Sequence, residues 1–336
     1  MKKLLIQIPC LNEAQTLPAT LADLPKSIPG VDVIEVLVID DGSRDGTADV
    51  ARACGVDHIV RLRRNKGLAA AFQAGIDACL KTGADFIVNT DADNQYAGHD
   101  IPKLLAPLLR GEADICIGDR NIAELRHMSW RKRQLQALGS WVVRQVSGTS
   151  VPDTTSGFRA YTREAAMRMT IVSEFSYTLE SIIQAGKKRM AIAHVPIAVN
   201  PRTRESRLFD SVFSYVKRSG ATIVRIYAMY EPLKVFTYAG LLILAVGFIG
   251  LGRYGYYALR HEAFKHNGSL IVSAVVLYVG FLVLLMGLLA DTISGVRKLV
   301  EDLLYRVRSL ESPQRDAEDH RPHYTHANDR ADRWEH

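Results

Sequence analysis

The first 200 residues alternate short aliphatic runs with longer stretches of helical periodicity. Leu4 to Ile8, Val33 to Ile39, Phe86 to Val88 and Asp114 to Ile117 predict strands. An apolar run without alternation suits a strand covered on both faces. Helical patterns near 14–25, 47–54, 69–82 and 100–110 separate these runs. Strands alternating with helices predict an α/β domain over residues 1–205, with a mainly parallel sheet and ligands at the carboxyl ends of its strands. The opening Met1-Lys2-Lys3-Leu4-Leu5-Ile6 briefly looks like a leader, but the run stops at Pro9 and Asn12, so it is expected to be a buried first strand.

The pattern changes beyond residue 205. Phe209, Phe213, Val216, Ile223, Tyr227 and Tyr230 recur at helical spacings among Lys217, Arg218 and Arg225. This predicts an amphipathic helix over 206–232, lying along a membrane surface or packed on the preceding domain. Val235 to Gly252 is an uncharged run of 18 residues, about 27 Å long as a helix. Asn267 to Ala290 is another, of 24 residues, about 36 Å long. Together they predict a two-helix transmembrane anchor over 233–292. Tyr254, Tyr256 and Tyr257 suit an interfacial aromatic belt, and Arg253 can snorkel outward. Ile293, Val296, Val300, Leu303, Leu304, Val307 and Leu310 form a further apolar stripe, expected as an amphipathic cytosolic helix over 293–310 that lies on a surface or makes an oligomer contact. The polar tail over 311–336, with His320, His323 and His326, is expected to be disordered and not to hold a metal.

Composition narrows the class. Of 336 residues, 48% are hydrophobic, 23% are charged and only 12 are Pro, which excludes a mainly disordered or collagenous chain. Cys10, Cys54, Cys79 and Cys116 form no Cys-x-x-Cys pair, so neither a disulfide framework nor a zinc site is expected. A net charge of +6 comes without a basic stripe interleaved with aromatics. Membrane lipid is therefore the expected anionic partner, and nucleic acid is not. Ten Lys and Arg flank the pair of apolar runs on the outside, against three between them, Arg253, Arg260 and Lys265. The positive-inside rule then puts both termini and the α/β domain on the cytosolic side of the cell (inner) membrane, with two spans.

The polar residues that follow the strands carry the chemistry. Asn12 and Glu13 follow the first strand, Asp40, Asp41 and Gly42 the second, and Asp91, Ala92 and Asp93, with Gln95, the strand at Phe86. Each alone suits a cap or turn, and Asp45 before Thr47 is given that role. Several carboxylates on one sheet edge repel one another unless a cation neutralises them, and oxygen ligands suit Mg²⁺ or Mn²⁺. A divalent metal holding a diphosphate is the expectation.

Five motifs in order carry a resemblance: Pro9-Cys10-Leu11-Asn12-Glu13, Val38 to Thr47, Asn65-Lys66-Gly67, Asp91-Ala92-Asp93 and Ser156-Gly157-Phe158-Arg159. Together they resemble the family 2 glycosyltransferases, whose catalytic domain has the Rossmann-like GT-A fold. Within that family the chain is similar to the polyprenyl-phosphate glycosyltransferases, the group of dolichyl-phosphate mannose synthase and the bactoprenol glucosyltransferases. The resemblance implies metal-dependent, inverting transfer of a sugar from a nucleotide diphosphate sugar, UDP- or GDP-linked, to undecaprenyl or dolichyl phosphate. It implies a donor site at Pro9, Leu11, Asn12, Glu13, Asp40 and Asp41, with Asp41 accepting hydrogen bonds from the ribose or base. Lys66 and Gly67 would open a helix where a backbone N–H meets donor oxygens, or Lys66 is a solvated helix start. Asp91, Ala92, Asp93 and Gln95 would form the metal motif, Asp93 coordinating directly with Gln95 nearby and Asp91 aimed at the metal or the donor sugar.

For the acceptor, the resemblance implies a cationic clamp on the lipid phosphate, drawn from Arg120, Arg131, Arg133, Arg204 and Arg207. Relatives carry Ser-Lys-Leu where this chain has Ser206-Arg207-Leu208, which leaves both Arg204 and Arg207 as candidates. Asp153 matches the proposed catalytic carboxylate of the family, or else braces Arg159 or caps its loop. A phosphate nucleophile is already ionised near neutrality, so it needs a general base less than a hydroxyl does. Other expectations remain open: a different lipid or a polysaccharide as acceptor, a homo-oligomer, or a non-catalytic membrane scaffold. The Gln-x-x-Arg-Trp motif of processive synthases and the Gly-x-Ser-x-Gly elbow of hydrolases are both missing.

Overall fold

A computed structural model describes residues 1–121, 130–173, 177–200, 212–260 and 267–311, with side chains placed for all of these except 130–133, 135–138 and 212–219. The first part is a seven-stranded sheet of β1 (Lys3–Cys10), β2 (Val33–Asp40), β3 (His58–Arg61), β4 (Phe86–Asn89), β5 (Ile115–Asp119), β6 (Arg159–Thr162) and β7 (Ile192–Pro196). Their order is β3-β2-β1-β4-β6-β5-β7. All pairings are parallel except those of β6, which runs antiparallel to β4 and β5. Helices α1 (Leu17–Ala22), α2 (Thr47–Ala53), α3 (Leu68–Lys81), α4 (Ile101–Leu109), α5 (Trp130–Ser147), α6 (Arg163–Arg168) and α7 (Tyr177–Lys187) accompany it.

The pleat of β1 explains why helices cover both faces. Leu4, Ile6 and Ile8 point to one side and pack with Leu17, Leu104 and Leu105, whereas Leu5 points to the other and joins Phe72, Ile76 and Ile183. All three of these β1 side chains and Leu5 are buried, as an unalternating apolar run requires. The mainly parallel sheet expected from the sequence is present. Its antiparallel member, β6, begins at Arg159 and carries no aliphatic run that would single it out.

The sheet also fixes where a ligand belongs. β1 has β2 on one side and β4 on the other, so connections leave β1 and β4 in opposite directions and open a crevice beyond their carboxyl ends. Gly42 shapes its rim. Its φ is +74°, and a Cβ there would lie 2.7 Å from the Arg64 carbonyl carbon, so only glycine lets the β2 loop approach the 64–65 backbone so closely.

Three further helices follow: α8 (Val212–Tyr230), α9 (Pro232–Leu259) and α10 (Asn267–Glu311). In α8, Ile223 and Ile226 are buried in the core of the α/β domain. Of the two surfaces expected for this stripe, the domain, not lipid, covers these residues. Val224 and Arg225 point outward. Helices α9 and α10 are long and apolar enough to cross a membrane, and they fit two transmembrane spans. Small residues let them pack closely. Ser273, Gly280, Gly287 and Ser294, spaced by seven, are the buried positions of α10, and a Cβ on Gly280 would lie 2.8 Å from Leu244 Cγ. The second span and the apolar stripe beyond it are one unbroken helix of 45 residues, not two helices, because no Pro or cap interrupts the chain at Asp291. Arg204, Arg207 and the tail beyond Glu311 lie outside the described residues.

Candidate active site

The loops after β1 and β2 are laced together at the crevice. Asn12, at φ +55°, donates its N–H to Ser43 Oγ at 2.9 Å, and its Oδ1 accepts from the Arg44 N–H at 2.9 Å. The Glu13 N–H donates to Thr47 Oγ1 at 2.9 Å, and the Ala14 N–H to Asp45 Oδ2 at 3.0 Å. Asp45 also accepts from the Thr47 N–H at 3.0 Å, a turn contact two residues on; the helix cap position is Gly46. Asp40 accepts from the Ser43 N–H at 2.8 Å and lies 3.3 Å from Arg61 Nε. These carboxylates hold the loops in shape.

Asp41 has partners within the chain. Its two oxygens accept from the backbone N–H groups of Lys66 at 2.7 Å and Gly67 at 2.8 Å. The N–H groups expected to meet donor oxygens at the start of α3 are thus taken by a side chain of this protein. Buried Asp41 ties the 65–67 loop to the crevice. The charge of a carboxylate suits two amide donors at a helix start.

The loop after β4 holds the metal motif. Asp93 accepts from Gln95 twice, from its N–H at 3.1 Å and its Nε2 at 2.8 Å. Thr20 Oγ1 donates to the Ala92 carbonyl at 3.0 Å, and the Asn200 N–H donates to the Gln95 carbonyl at 2.9 Å. Asp91 sits over Gly157, where an added Cβ would lie 3.2 and 3.3 Å from its two oxygens. Burial, then the neighbouring Asp93 charge, push its carboxyl up to about 7 against the pull of Arg120. Two carboxylates forced together in this way fit a divalent cation. Among the described residues no three His, Cys, Asp or Glu form a cage, so a cation here would complete its ligands from diphosphate or water, as Mg²⁺ commonly does.

Across the crevice, Arg120 at the end of β5 makes a two-pronged contact with Asp153, Nε to Oδ2 at 2.7 Å and Nη2 to Oδ1 at 3.0 Å. Asp153 Oδ1 also accepts from the N–H groups of Thr155 and Ser156, each at 3.2 Å. Burial raises the Asp153 carboxyl, but the Arg120 charge and these hydrogen bonds outweigh it and hold the group below the usual carboxylate range. The residue braced by Asp153 is therefore Arg120, not Arg159. Arg159 is buried and donates to the carbonyls of Ser156, Thr178 and Thr154 at 2.7, 2.9 and 3.0 Å. Arg131 and Arg133 lie on α5, and their side chains are outside the described residues.

A buried polar chain beneath Asp91 was not expected. Gln7 Nε2 donates to Asn89 Oδ1 at 3.0 Å, and Asn89 Nδ2 donates to the Gly157 carbonyl at 2.8 Å and to the Tyr177 hydroxyl at 2.9 Å. The Gly157 N–H donates to the Tyr96 hydroxyl at 2.9 Å. Tyr177 stacks on Phe72 with centroids 4.1 Å apart, and Tyr96 on Phe158 at 5.1 Å. Gln7 and Asn89 do leave a trace in the sequence: one is an amide inside an otherwise apolar strand and the other ends one, and a buried amide needs partners.

Residues 5–170 match the family Glycosyl transferase family 2, and residues 231–296 match the GtrB C-terminal hairpin. Glycosyltransferase AglJ of Haloferax volcanii is 28% identical over 91% of this chain and 97% of that protein. Polyprenol monophosphomannose synthase of Mycolicibacterium smegmatis is 29% identical over 60% of this chain and 78% of that protein. The crystal structure of glucosyl-3-phosphoglycerate synthase from Mycobacterium tuberculosis, in complex with Mn²⁺, UDP-glucose and phosphoglyceric acid, shares the fold. Its TM-score is 0.55 at 22% identity, covering 68% of this chain and 80% of that one. Sheet topology, strand-end loops and both segment matches agree, and the chain belongs to the family 2 glycosyltransferases of GT-A fold.

Proposed function

We propose that this chain transfers a sugar, with inversion, from a UDP- or GDP-linked donor to polyprenyl phosphate at the cytosolic face of the cell membrane. Residues 1–205 carry the chemistry, 206–232 join it to the bilayer, and 233–292 anchor it. One observation carries the reading: Asp91 lies close enough to both Asp93 and Arg120 for their charges to act on it, and Arg120 is held by Asp153, ahead of two apolar helices. An anionic pair suits a cation on a diphosphate, and a guanidinium suits a monophosphate. The prenyl chain of such an acceptor belongs in the bilayer that the helices fit. The similarity to a polyprenol monophosphomannose synthase supports the acceptor class.

In this reading the loops around Pro9, Leu11, Asn12, Glu13, Asp40, Asp41 and Ala92 shape the nucleotide side, with Lys66 and Gly67 held in place by Asp41. Asp93 and Asp91, with Gln95, hold Mg²⁺ or Mn²⁺, which when bound neutralises charge on the departing diphosphate. Arg120 orients the acceptor phosphate, joined by candidates Arg131, Arg133, Arg204 and Arg207. One acceptor oxygen bonds to the sugar C1 as the C1–O bond to the diphosphate breaks, and the nucleoside diphosphate leaves with that electron pair. No proton must move, because the acceptor is ionised. Asp153, already committed to Arg120, then positions that arginine and does not act as a base.

The test is direct. Purified full-length protein with Mn²⁺ or Mg²⁺ is given a panel of UDP and GDP sugars with undecaprenyl or dolichyl phosphate, and the lipids are read by mass spectrometry. A glycosylated lipid phosphate is expected; donor binding with no such product in any combination overturns the proposal.

A further inference from the structure

One residue joins the two halves of the crevice. Gly157 lies in the loop that carries Asp153, and both of its backbone groups are taken by side chains that bracket Asp91 and Asp93 in the sequence. Its carbonyl accepts at 2.8 Å from Nδ2 of Asn89, which precedes Asp91, and its N–H donates at 2.9 Å to the hydroxyl of Tyr96, which follows Asp93. The two oxygens of Asp91 face the same residue: they lie 3.2 and 3.3 Å from the place a Cβ of residue 157 would take. Asn89, Tyr96 and Gly157 are all buried, so water does not compete for these bonds.

The joint is stiff on both sides. Asn89 ends β4, and Gln7 of β1 donates to its Oδ1 at 3.0 Å, which fixes the direction of its amide. Tyr96 stacks on Phe158, the neighbour of Gly157, with ring centroids 5.1 Å apart. The chain that carries Tyr96 is pinned from its other side as well: Tyr96 pairs with Val199, and Asn200 donates to the carbonyls of Gln95 and Asn94 at 2.9 and 3.0 Å. Beyond Gly157, the N–H of the preceding Ser156 donates to Asp153 at 3.2 Å, and Asp153 holds Arg120 by two bonds. An unbroken run of directed bonds therefore leads from the metal motif, through Gly157, to Arg120.

We propose that Tyr96 and Asn89 are positioning residues: by clasping Gly157 they set the spacing between the metal motif and Arg120, and with it the distance from the departing diphosphate to the incoming phosphate. On the transfer reading above, a cation holds the diphosphate and Arg120 the acceptor, and this inference rests on that reading. A phosphate nucleophile needs no activation by a base, so the rate depends on keeping its oxygen in line with the sugar C1. A loosened joint leaves each half able to bind its own ligand and impairs their alignment. The hydroxyl of Tyr96 is the part that matters for this. Tyr96→Phe keeps the stacking on Phe158 and removes only the acceptor of the Gly157 N–H.

The experiment uses the full chain in lipid nanodiscs. Tyr96→Phe should lower kcat by about tenfold to a hundredfold while the KM for donor and for acceptor stay within about twofold of the parent. Without metal or donor, hydrogen exchange should quicken at Gly157, whose N–H loses its acceptor. Phosphorus NMR reads the spacing without turnover: with Mn²⁺, UDP or GDP, and a polyprenyl phosphate bound, Mn²⁺ relaxes the acceptor phosphorus more strongly the closer it lies, and at equal occupancy the relaxation should be weaker in Tyr96→Phe than in the parent. Asn89→Ala, which frees the Gly157 carbonyl, should show the same pattern; where the loss of that amide prevents folding, Tyr96→Phe decides alone. An unchanged kcat, a loss of ligand affinity in step with kcat, a rise confined to the acceptor KM, which would put the Tyr96 hydroxyl on the phosphate itself, or equal relaxation in parent and variant overturns the proposal and leaves the transfer reading standing. A parent protein whose bound Mn²⁺ does not relax the acceptor phosphorus overturns the transfer reading, and the proposal with it.

Discussion

Arg120 and Asp153, 33 residues apart in the chain, meet in a two-pronged ion pair at 2.7 and 3.0 Å in which the carboxylate is almost wholly buried and the guanidinium stays partly open to the crevice. The open partner is the one that can reach a ligand. The buried partner is saturated by hydrogen bonds and fixes its direction.

Asp153→Ala is expected to raise the KM for lipid acceptor more than the KM for donor, and to cost about 3 kcal/mol of stability by stranding Arg120. Because the folded state lowers the pKa of Asp153, its stabilisation is fully present above the unfolded carboxylate range and is lost as pH falls through the lower folded value. The stability difference between parent and variant should therefore close only in acid. Kinetics across pH separate the roles: a positioning residue leaves the shape of the rate profile intact, and loss of the acid limb on removal of Asp153 would show it to be a base.

Asp93→Ala should lower turnover at saturating metal by about a hundredfold, roughly 3 kcal/mol of leaving-group stabilisation. Folding and membrane insertion should be unchanged, since among the described residues Asp93 is bonded within its own loop, by Gln95. Near-normal turnover in a metal titration would remove the metal role.

Asp41→Ala should loosen the 65–67 loop and raise the donor KM about tenfold, the scale of one lost charge-assisted hydrogen bond. Hydrogen exchange at Lys66 and Gly67 should quicken, because their N–H groups lose their acceptor. A pure turnover defect with unchanged donor affinity and unchanged exchange contradicts this assignment.

Gly157→Ala should displace Asp91, since the new methyl would sit 2.7 Å from the Tyr177 hydroxyl and 3.2 Å from an Asp91 oxygen. Overpacking of this kind costs about 1–3 kcal/mol. Tyr177→Phe removes the closest obstacle, so in that background the alanine should cost less, both in melting temperature and in turnover. Equal costs in the two backgrounds would show that Gly157 is not wedged where the geometry puts it.

What the sequence determined by itself is what short-range physics decides. The unalternating runs of β1, β2 and β4 announced strands buried on both faces, the carboxylates placed just after them announced a charged sheet edge, and the lengths of the uncharged runs announced two spans. Each of these needs only neighbouring residues and a solvent preference. Tertiary structure decided the partners. Nothing local tells Asp153 to hold Arg120 and leave Arg159 to the Ser156, Thr178 and Thr154 carbonyls, or tells Asp41 to take the N–H groups of Lys66 and Gly67, because those meetings depend on how the strands are ordered. β6 is a strand only because β4 and β5 offer it edges to pair with. The stripes on α8 and α10 make the same point in opposite ways. Periodicity showed that each helix has an apolar face but not what covers it; the domain buries Ile223 and Ile226 of one, and on the other it grips the polar side and leaves the apolar stripe exposed.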